Sequence, residues 1–133
     1  MFISPTPPSI QAFIDRQIAG PLTMLNLLRF RDVADYTATP ELEPETPVSG
    51  EQAYDTYAEL TMPHLAAVGG SPVFMGTGGP FLIGPEDVAW DRVLLVRYPD
   101  VQAFLSMTQN PGYLAGAGHR MAALADSRLL PIE

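Results

Sequence analysis

The sequence predicts an α+β protein with a ferredoxin-like βαββαβ core and a four-stranded antiparallel sheet. Two apolar stretches of strand length, residues 22–31 and 93–96, are the first observation. The second is the long amphipathic helical pattern between them, and the third is the further helix and strand that follow. With 133 residues, the chain can form one core, so we expect a single domain over residues 1–133.

An extra helix precedes this core in residues 1–20. Ser9 is a suitable N-cap, and Gly20 ends the pattern together with Pro21. Apolar residues recur between them at helical spacing, namely Ile10, Phe13, Ile14 and Ile18. The next stretch, residues 22–31, is almost continuously apolar, so we expect a central strand that is covered on both faces.

Residues 32–49, which we call the acidic arm, are rich in Asp, Glu and Pro and show no hydrophobic period. Such a composition buries little apolar surface, so we expect a solvated, poorly packed loop that folding does not require. A lid over a ligand site is the alternative interpretation.

The clearest helix begins after Ser49 and Gly50. Its apolar stripe comprises Tyr54, Tyr57, Ala58, Thr61, Leu65 and Val68. Pro63 lies inside this pattern and predicts a kink or break near Thr61 and Met62. Gly69 and Gly70 predict a left-handed end to the helix.

The second half of the chain repeats the strand and helix patterns. We expect a strand and a glycine-rich turn in residues 71–84, and a strand in residues 90–99. Asp100 and Asn110 are suitable N-caps for two successive helices. A short last strand in residues 127–133 contains Pro131, which favours the edge of a sheet.

Helices on one face of such a sheet leave the other face uncovered. Strands this apolar are rarely left in contact with water on a whole face. A second copy that packs sheet to sheet is the simplest cover, so we expect a homodimer.

Composition excludes several classes of function. All seven cationic side chains are Arg, which excludes a Schiff-base lysine, and the absence of Cys excludes thiolate, iron–sulfur and disulfide chemistry. Only two His are present, too few for a three-histidine metal site. A net charge of -8 disfavours nucleic acid and anionic membranes as partners. We expect no metal and no cofactor, and the lack of a signal-peptide pattern favours a cytoplasmic location.

Several segments together resemble one family of small bacterial proteins. They are NLLRF at residues 26–30, AYDTYAE at 53–59, WDRVLLVRYPD at 90–100, and AFLSM and NPGYLAGAGHRMAALADSRLL after that. In these segments the chain is similar to the domain-of-unknown-function 1330 family, within the dimeric α+β barrel superfamily. The resemblance implies a ferredoxin-like homodimer. Relatives in the wider superfamily include cofactor-free monooxygenases, lactone isomerases and haem enzymes.

A few polar residues are candidates for a site that binds a small molecule. Asn26 interrupts the first strand on the same side as Met24, Leu28 and Phe30, and could orient a ligand or satisfy a neighbouring loop. The further ligand-binding candidates are Tyr57, His64, Arg92, Tyr113, His119 and Arg120. Each has a structural alternative: core packing for the tyrosines, ion pairs for the arginines, and a satisfied side chain for the histidines.

His119 is the candidate catalytic residue, as an acid or base near pH 7. Its neighbour Arg120 should disfavour the imidazolium if the two side chains converge. The sequence therefore supports a small-molecule-binding protein, with a cofactor-independent monooxygenase or isomerase as its enzymatic form. The alternative is a non-catalytic dimeric module that binds a ligand or a partner protein.

Overall fold

The computed structural model describes residues 1–133. Its helices are α1 (Pro7–Asp15), α2 (Gly50–Ala67), α3 (Val101–Gln109) and α4 (Pro111–Ala123), with one turn of 3-10 helix at Pro40–Leu42. Its strands are β1 (Leu22–Phe30), β2 (Ser71–Thr77), β3 (Arg92–Tyr98) and β4 (Leu124–Ile132). The strands are antiparallel neighbours in the order β2-β3-β1-β4. This arrangement confirms the predicted ferredoxin-like fold.

The N-terminal helix is present, but its predicted cap is wrong. Thr6 is the N-cap: its hydroxyl accepts a hydrogen bond from the Ser9 amide at 3.2 Å, and the Ser9 hydroxyl accepts one from the Thr6 amide at 2.9 Å. Ser9 therefore closes a capping box from inside the helix. Ile18 lies beyond the end of the helix and still packs into the core.

Strand β1 alternates between a buried face and a half-buried face. Leu22, Met24, Asn26 and Leu28 are buried on the face that the helices cover. Leu25 and Leu27 lie on the opposite face, which the single chain leaves open. The expectation that both faces of this strand are covered is therefore wrong for one copy of the chain.

Helix α2 runs through Pro63 without the predicted break. Proline leaves the carbonyl of Glu59 without its helical partner, but Glu59 is exposed, so water can satisfy that carbonyl. Ser49 caps the helix in a capping box with Gln52. Gly69 follows the helix with φ of 80°, which confirms the left-handed end.

The later elements follow their predicted caps. Asp100 accepts a hydrogen bond from the amide of Ala103 at 2.8 Å, and Asn110 accepts one from the amide of Gly112 at 2.7 Å. Strand β4 starts directly after α4, earlier than predicted. It is an edge strand, which is where Pro131 was expected.

The acidic arm is packed against the helices, so the prediction of a poorly packed loop is wrong. Tyr36 is only 5% exposed and belongs to the core. The amide of Ala34 donates to the carbonyl of Val48, and the amide of Asp35 donates to the carbonyl of Ala122, both at 2.9 Å. The acidic side chains stay in solvent while a few apolar ones anchor the backbone.

The N-terminal segment is tied to β4 through Asp126, which is buried. Its carboxylate accepts hydrogen bonds from the Phe2 amide at 2.9 Å and from Arg128 at 2.8 Å, and it also pairs with Arg29. Burial acts to raise the pKa of Asp126, but hydrogen bonds from the Phe2 amide, Arg128 and the Ser127 amide hold that pKa below its ordinary value. This contact places Ile3 against the core near Tyr36.

The core on the helix side consists of two clusters of seven buried residues each. The first cluster contains Ile18, Leu22, Met24, Leu65, Val96, Tyr98 and Met107. The second contains Leu28, Tyr36, Ala53, Tyr54, Ala122, Ala123 and Leu124. No helix is both long enough and apolar enough to cross a bilayer.

We predict that Tyr36→Ala lowers the free energy of unfolding by about 3 kcal/mol, because it removes a buried aromatic side chain. Tyr36→Phe should cost only about 1 kcal/mol, since it removes a hydrogen bond and keeps the ring. Urea denaturation measures both values. The exposed Val33 provides the matched control Val33→Ala. Equal stabilities for Tyr36→Ala and the control would show that the arm contributes nothing to folding.

Candidate functional site

Polar side chains lie where the two core clusters meet. On the sheet, Asn26 stands on β1 between Met24 of the first cluster and Leu28 of the second. On the helices, Tyr113 packs against the first cluster and Tyr57 against the second, and their hydroxyl oxygens are 2.8 Å apart. We call the group Asn26, Tyr54, Tyr57, Tyr98 and Tyr113 the polar seam.

Three oxygens of the polar seam have no hydrogen-bond partner within the chain. Asn26 donates through Nδ2 to the carbonyls of Met24 and Leu94 at 3.4 Å each, but its Oδ1 accepts nothing. The hydroxyls of Tyr54 and Tyr98 are also unpaired, although these side chains are only 3% and 5% exposed. None of the three oxygens is sealed from solvent. They can therefore be hydrogen-bonded by solvent or by another molecule.

The tyrosines of the polar seam lie close enough to affect one another's ionisation. Burial raises the pKa of Tyr54 to about 12. Burial also raises the pKa of Tyr57 well above its ordinary value, and the neighbouring phenols of Tyr113 and Tyr54 add to this effect. The pKa of Tyr98 is raised by burial and then by the phenols of Tyr113 and Tyr54. At neutral pH these phenols are protonated, so they offer hydrogen-bond donors and no negative charge.

Arg120 is the cation that reaches this region from α4. Its guanidinium donates to the carbonyl of Ile3 at 2.6 Å. Its charge also acts to lower the pKa values of Tyr54 and Tyr57, against the larger effect of burial. Arg120 therefore holds the N-terminal segment while its charge favours any anion formed at the seam.

His119 is buried beneath the acidic arm. Its Nδ1 lies 2.7 Å from the hydroxyl of Tyr36, and the two rings meet edge to face. Burial lowers the pKa of His119, which is the direction expected from the sequence. The expectation assigned this direction to Arg120 if the two side chains converge, but burial is the cause, and the guanidinium of Arg120 is bound to Ile3.

Gly118 allows the arm to approach α4 at this point. A Cβ added at Gly118 would lie 2.8 Å from the side chain of Thr39 and 2.7 Å from that of Leu42. Close packing of the arm on α4 therefore explains this glycine.

The remaining two candidates are engaged elsewhere. The ring of His64 packs against the start of α4, where a Cβ added at Gly112 would lie 2.6 Å from its Cε1. Arg92 bonds Asp55 at 2.8 Å and Glu51 at 3.3 Å, and stacks on Phe30 at 5.0 Å. These contacts favour the ion-pair interpretation of Arg92, which ties β3 to α2.

Two surface clefts lie outside the polar seam. One, of about 400 Å³, includes Arg31, Ser49, Trp90 and Arg92; the other, of about 320 Å³, includes Ile3, Arg31 and Asp35. Neither is lined by Asn26 or by a histidine. Sequence reasoning missed Arg31 and Tyr36, because no local pattern distinguishes them from other residues at the start of an acidic loop.

The strand order and the helix-covered face together define a ferredoxin-like α+β protein. Residues 45–132 match the family model described as Domain of unknown function (DUF1330), and the chain belongs to this family. No curated protein matches the chain.

Solved structures share this fold. A protein of unknown function from Rhodopseudomonas palustris is 36% identical, with a TM-score of 0.86, over 98% of this chain and 95% of that one. A dimeric, ferredoxin-like protein of unknown function from Bacteroides fragilis has 10% identity and a TM-score of 0.51 over 85% and 95%. SnoaB, a cofactor-independent oxygenase from Streptomyces nogalater, has 17% identity and a TM-score of 0.52 over 86% and 93%. At these identities the last two show the fold alone.

We predict that His119 makes stability depend on pH on the acid side of neutrality. Its folded pKa lies below the ordinary 6.5, so the unfolded chain binds the proton more readily and stability falls as the pH drops below that value. Thermal denaturation between pH 7.5 and pH 5, with His119→Gln beside the wild type, measures the effect.

The variant should show a flatter stability profile over this range. His64→Gln is the matched control, because it removes the other histidine and leaves His119 beneath the arm. If the two variants flatten the profile equally, burial of His119 is not the cause.

Proposed function

We propose that this protein is a homodimer that binds a small cyclic or aromatic molecule at the polar seam. The observation that carries the proposal is the set of oxygens on Asn26, Tyr54 and Tyr98 that have no partner within the chain and that solvent can reach, although the residues themselves are largely buried among apolar side chains. A ligand that pairs with these oxygens would take the place of water there and would add apolar contacts with the surrounding clusters.

The surroundings of the seam favour a ligand with an apolar body and one or two oxygens. The two core clusters provide apolar walls on either side, and the rings of Tyr57 and Tyr113 meet edge to face with centroids 6.1 Å apart. The protonated phenols would donate to a carbonyl or phenolic oxygen, and Oδ1 of Asn26 would accept from a hydroxyl. A cyclic ketone or a phenol fits this set.

A cofactor-independent oxygenation or an isomerisation is the enzymatic form of this proposal. Either reaction on a cyclic ketone could pass through an enolate, and phenol donors aimed at its oxygen would stabilise the negative charge. The charge of Arg120 would act in the same direction. The fold shared with SnoaB is compatible with this reaction class.

A non-catalytic binding module is the second candidate, and the protonation states favour it. The raised pKa values of Tyr54 and Tyr57 keep these phenols protonated, and His119 is hydrogen-bonded to Tyr36. The seam therefore has donors but no evident general base. A ketone bound by such groups would not react unless its α-hydrogen is acidic enough to leave without a general base.

The homodimer is supported by the open face of the sheet. Apolar side chains occupy this face on all four strands: Leu25, Leu27, Phe74, Val93, Leu95, Leu130 and Ile132. Each is half-buried or exposed in the single chain. A second copy packed on this face would remove them from water.

We predict that the seam binds at least one of 2-tetralone, 1-naphthol and cyclohexanone, measured by saturation-transfer NMR. The double variant Tyr54→Phe/Tyr98→Phe should weaken that binding about tenfold, because it removes the two unpaired hydroxyls and keeps the rings. Tyr36→Phe is the matched control outside the seam. Failure of all three compounds to bind, or equal weakening by the control, would contradict the proposal.

The same compounds separate the two candidate functions. Enolisation of 2-tetralone in D2O replaces its α-hydrogens, and NMR follows the exchange. Acceleration by the wild type and its loss in Asn26→Leu would support the enzyme. Binding without acceleration would support the non-catalytic module.

For the dimer, we predict a mass of twice 14.4 kDa by sedimentation at micromolar concentration. Leu95→Glu should give a monomer, since it places a charge at the centre of the apolar face. Leu114→Glu is the control, because Leu114 is 53% exposed on α4. A monomeric wild type, or dissociation by the control alone, would overturn this assembly.

A further inference from the structure

The cleft of about 320 Å³ lies on the helix side of the molecule, apart from the polar seam. The acidic arm forms one wall, and α4 and the N-terminal segment form the other. The apolar part of its lining consists of Ile3, Ala38, Met121 and Ala122. Two charged side chains, Arg31 and Asp35, share this lining. The volume suits a small metabolite.

Arg31 is held firmly by its backbone, but its side chain has no partner. Its amide donates to the carbonyl of Ala123 at 2.8 Å, and its carbonyl accepts from the amide of Gly50 at 2.9 Å. Its Nε is buried and forms no hydrogen bond. The guanidinium also forms no ion pair, although acidic residues outnumber arginines by 15 to 7. The outer guanidinium nitrogens, which are not buried, are therefore free to pair with a group that occupies the cleft.

Asp35 supplies a fixed negative charge in the same cleft. Its amide donates to the carbonyl of Ala122 at 2.9 Å, which anchors the arm at this residue. Hydrogen bonds from the side chain and amide of Thr37 lower the pKa of Asp35, with a smaller contribution from the charge of Arg31. Asp35 and Arg31 therefore influence one another, but they do not form an ion pair.

We propose that this cleft binds a small zwitterion with an apolar body, of the class of an apolar α-amino acid. Arg31 holds the carboxylate, Asp35 holds the ammonium group, and Ile3 and Met121 contact the side chain. Asp35 would repel a simple anion, and Arg31 would repel a simple cation. Only a molecule with both charges pairs with both residues, and the guanidinium binds carboxylates well.

In this proposal the acidic arm forms one side of the ligand-binding cleft. The arm is anchored on α4 through Tyr36 and His119 and through the packing of Thr39 against Gly118. The packed arm therefore fixes the backbone of Asp35, and the backbone hydrogen bonds of Arg31 to Ala123 and Gly50 fix the other charge, before a ligand binds.

Isothermal titration with L-leucine tests the proposal, beside 3-methylbutylamine, which lacks the carboxylate, and 4-methylpentanoate, which lacks the ammonium group. We expect L-leucine to bind at least tenfold more tightly than either. Arg31→Gln and Asp35→Asn should each weaken L-leucine binding at least tenfold. The controls are Arg16→Gln and Asp32→Asn, which change an exposed cation and an exposed anion outside this cleft.

The outcomes separate this site from the polar seam. No binding of L-leucine to the wild type would overturn the proposal. Equal affinity for L-leucine and 4-methylpentanoate, with no effect of Asp35→Asn, would overturn it too, because the site would then take a simple anion. Asp35 is exposed, so Asp35→Asn remains a valid test if Arg31→Gln fails to fold. Binding at the polar seam should be unchanged in both variants.

Discussion

Strand β1 carries large apolar side chains on both faces, but the chain provides helices for only one of them. This constraint organises the rest of the molecule. On the covered face, the helices α2, α3 and α4 pack against the sheet in two separate clusters, to which β1 contributes Leu22, Met24 and Leu28. On the open face, Leu25 and Leu27 continue an apolar surface across the neighbouring strands. The covered face forms the interior of the chain, whereas the open face exposes apolar side chains that a second surface would remove from water.

Asn26 interrupts the covered face of that same strand. An amide in the middle of a largely buried strand needs partners; its Nδ2 donates to two carbonyls at 3.4 Å, and its Oδ1 accepts from no group of the chain but reaches solvent. The hydroxyl pair of Tyr57 and Tyr113 faces the same boundary from α2 and α4. Both the sheet and the helices therefore place polar groups at the boundary between the two clusters.

The sequence was sufficient for the order of elements because their signals are local. Ser49, Asp100 and Asn110 are capping residues at the starts of helices, and Pro131 marks an edge strand. The side of β1 on which Asn26 lies follows from alternation alone. These features depend on neighbours within a few positions, so they are visible without the fold.

The acidic arm could not be predicted in this way. Tyr36, Leu42 and Val48 anchor it, but they are spaced irregularly among Asp, Glu and Pro, so no period indicates a packed segment. The partner of Tyr36 is His119, 83 positions further along the chain. The sequence also could not show that the guanidinium of Arg31 forms no ion pair, because this depends on which residues surround it in the folded chain. Contacts of this kind depend on tertiary structure, and local patterns do not record them.

The most direct test of the central constraint is an isotope-filtered NOE measurement on a mixture of labelled and unlabelled protein. If a second copy covers the open face, methyl groups of Leu25, Leu27 and Leu95 will show NOEs between protomers. Val33, which is 61% exposed on the arm, should show none. NOEs between protomers confined to helix residues, with the sheet methyls silent, would contradict the account.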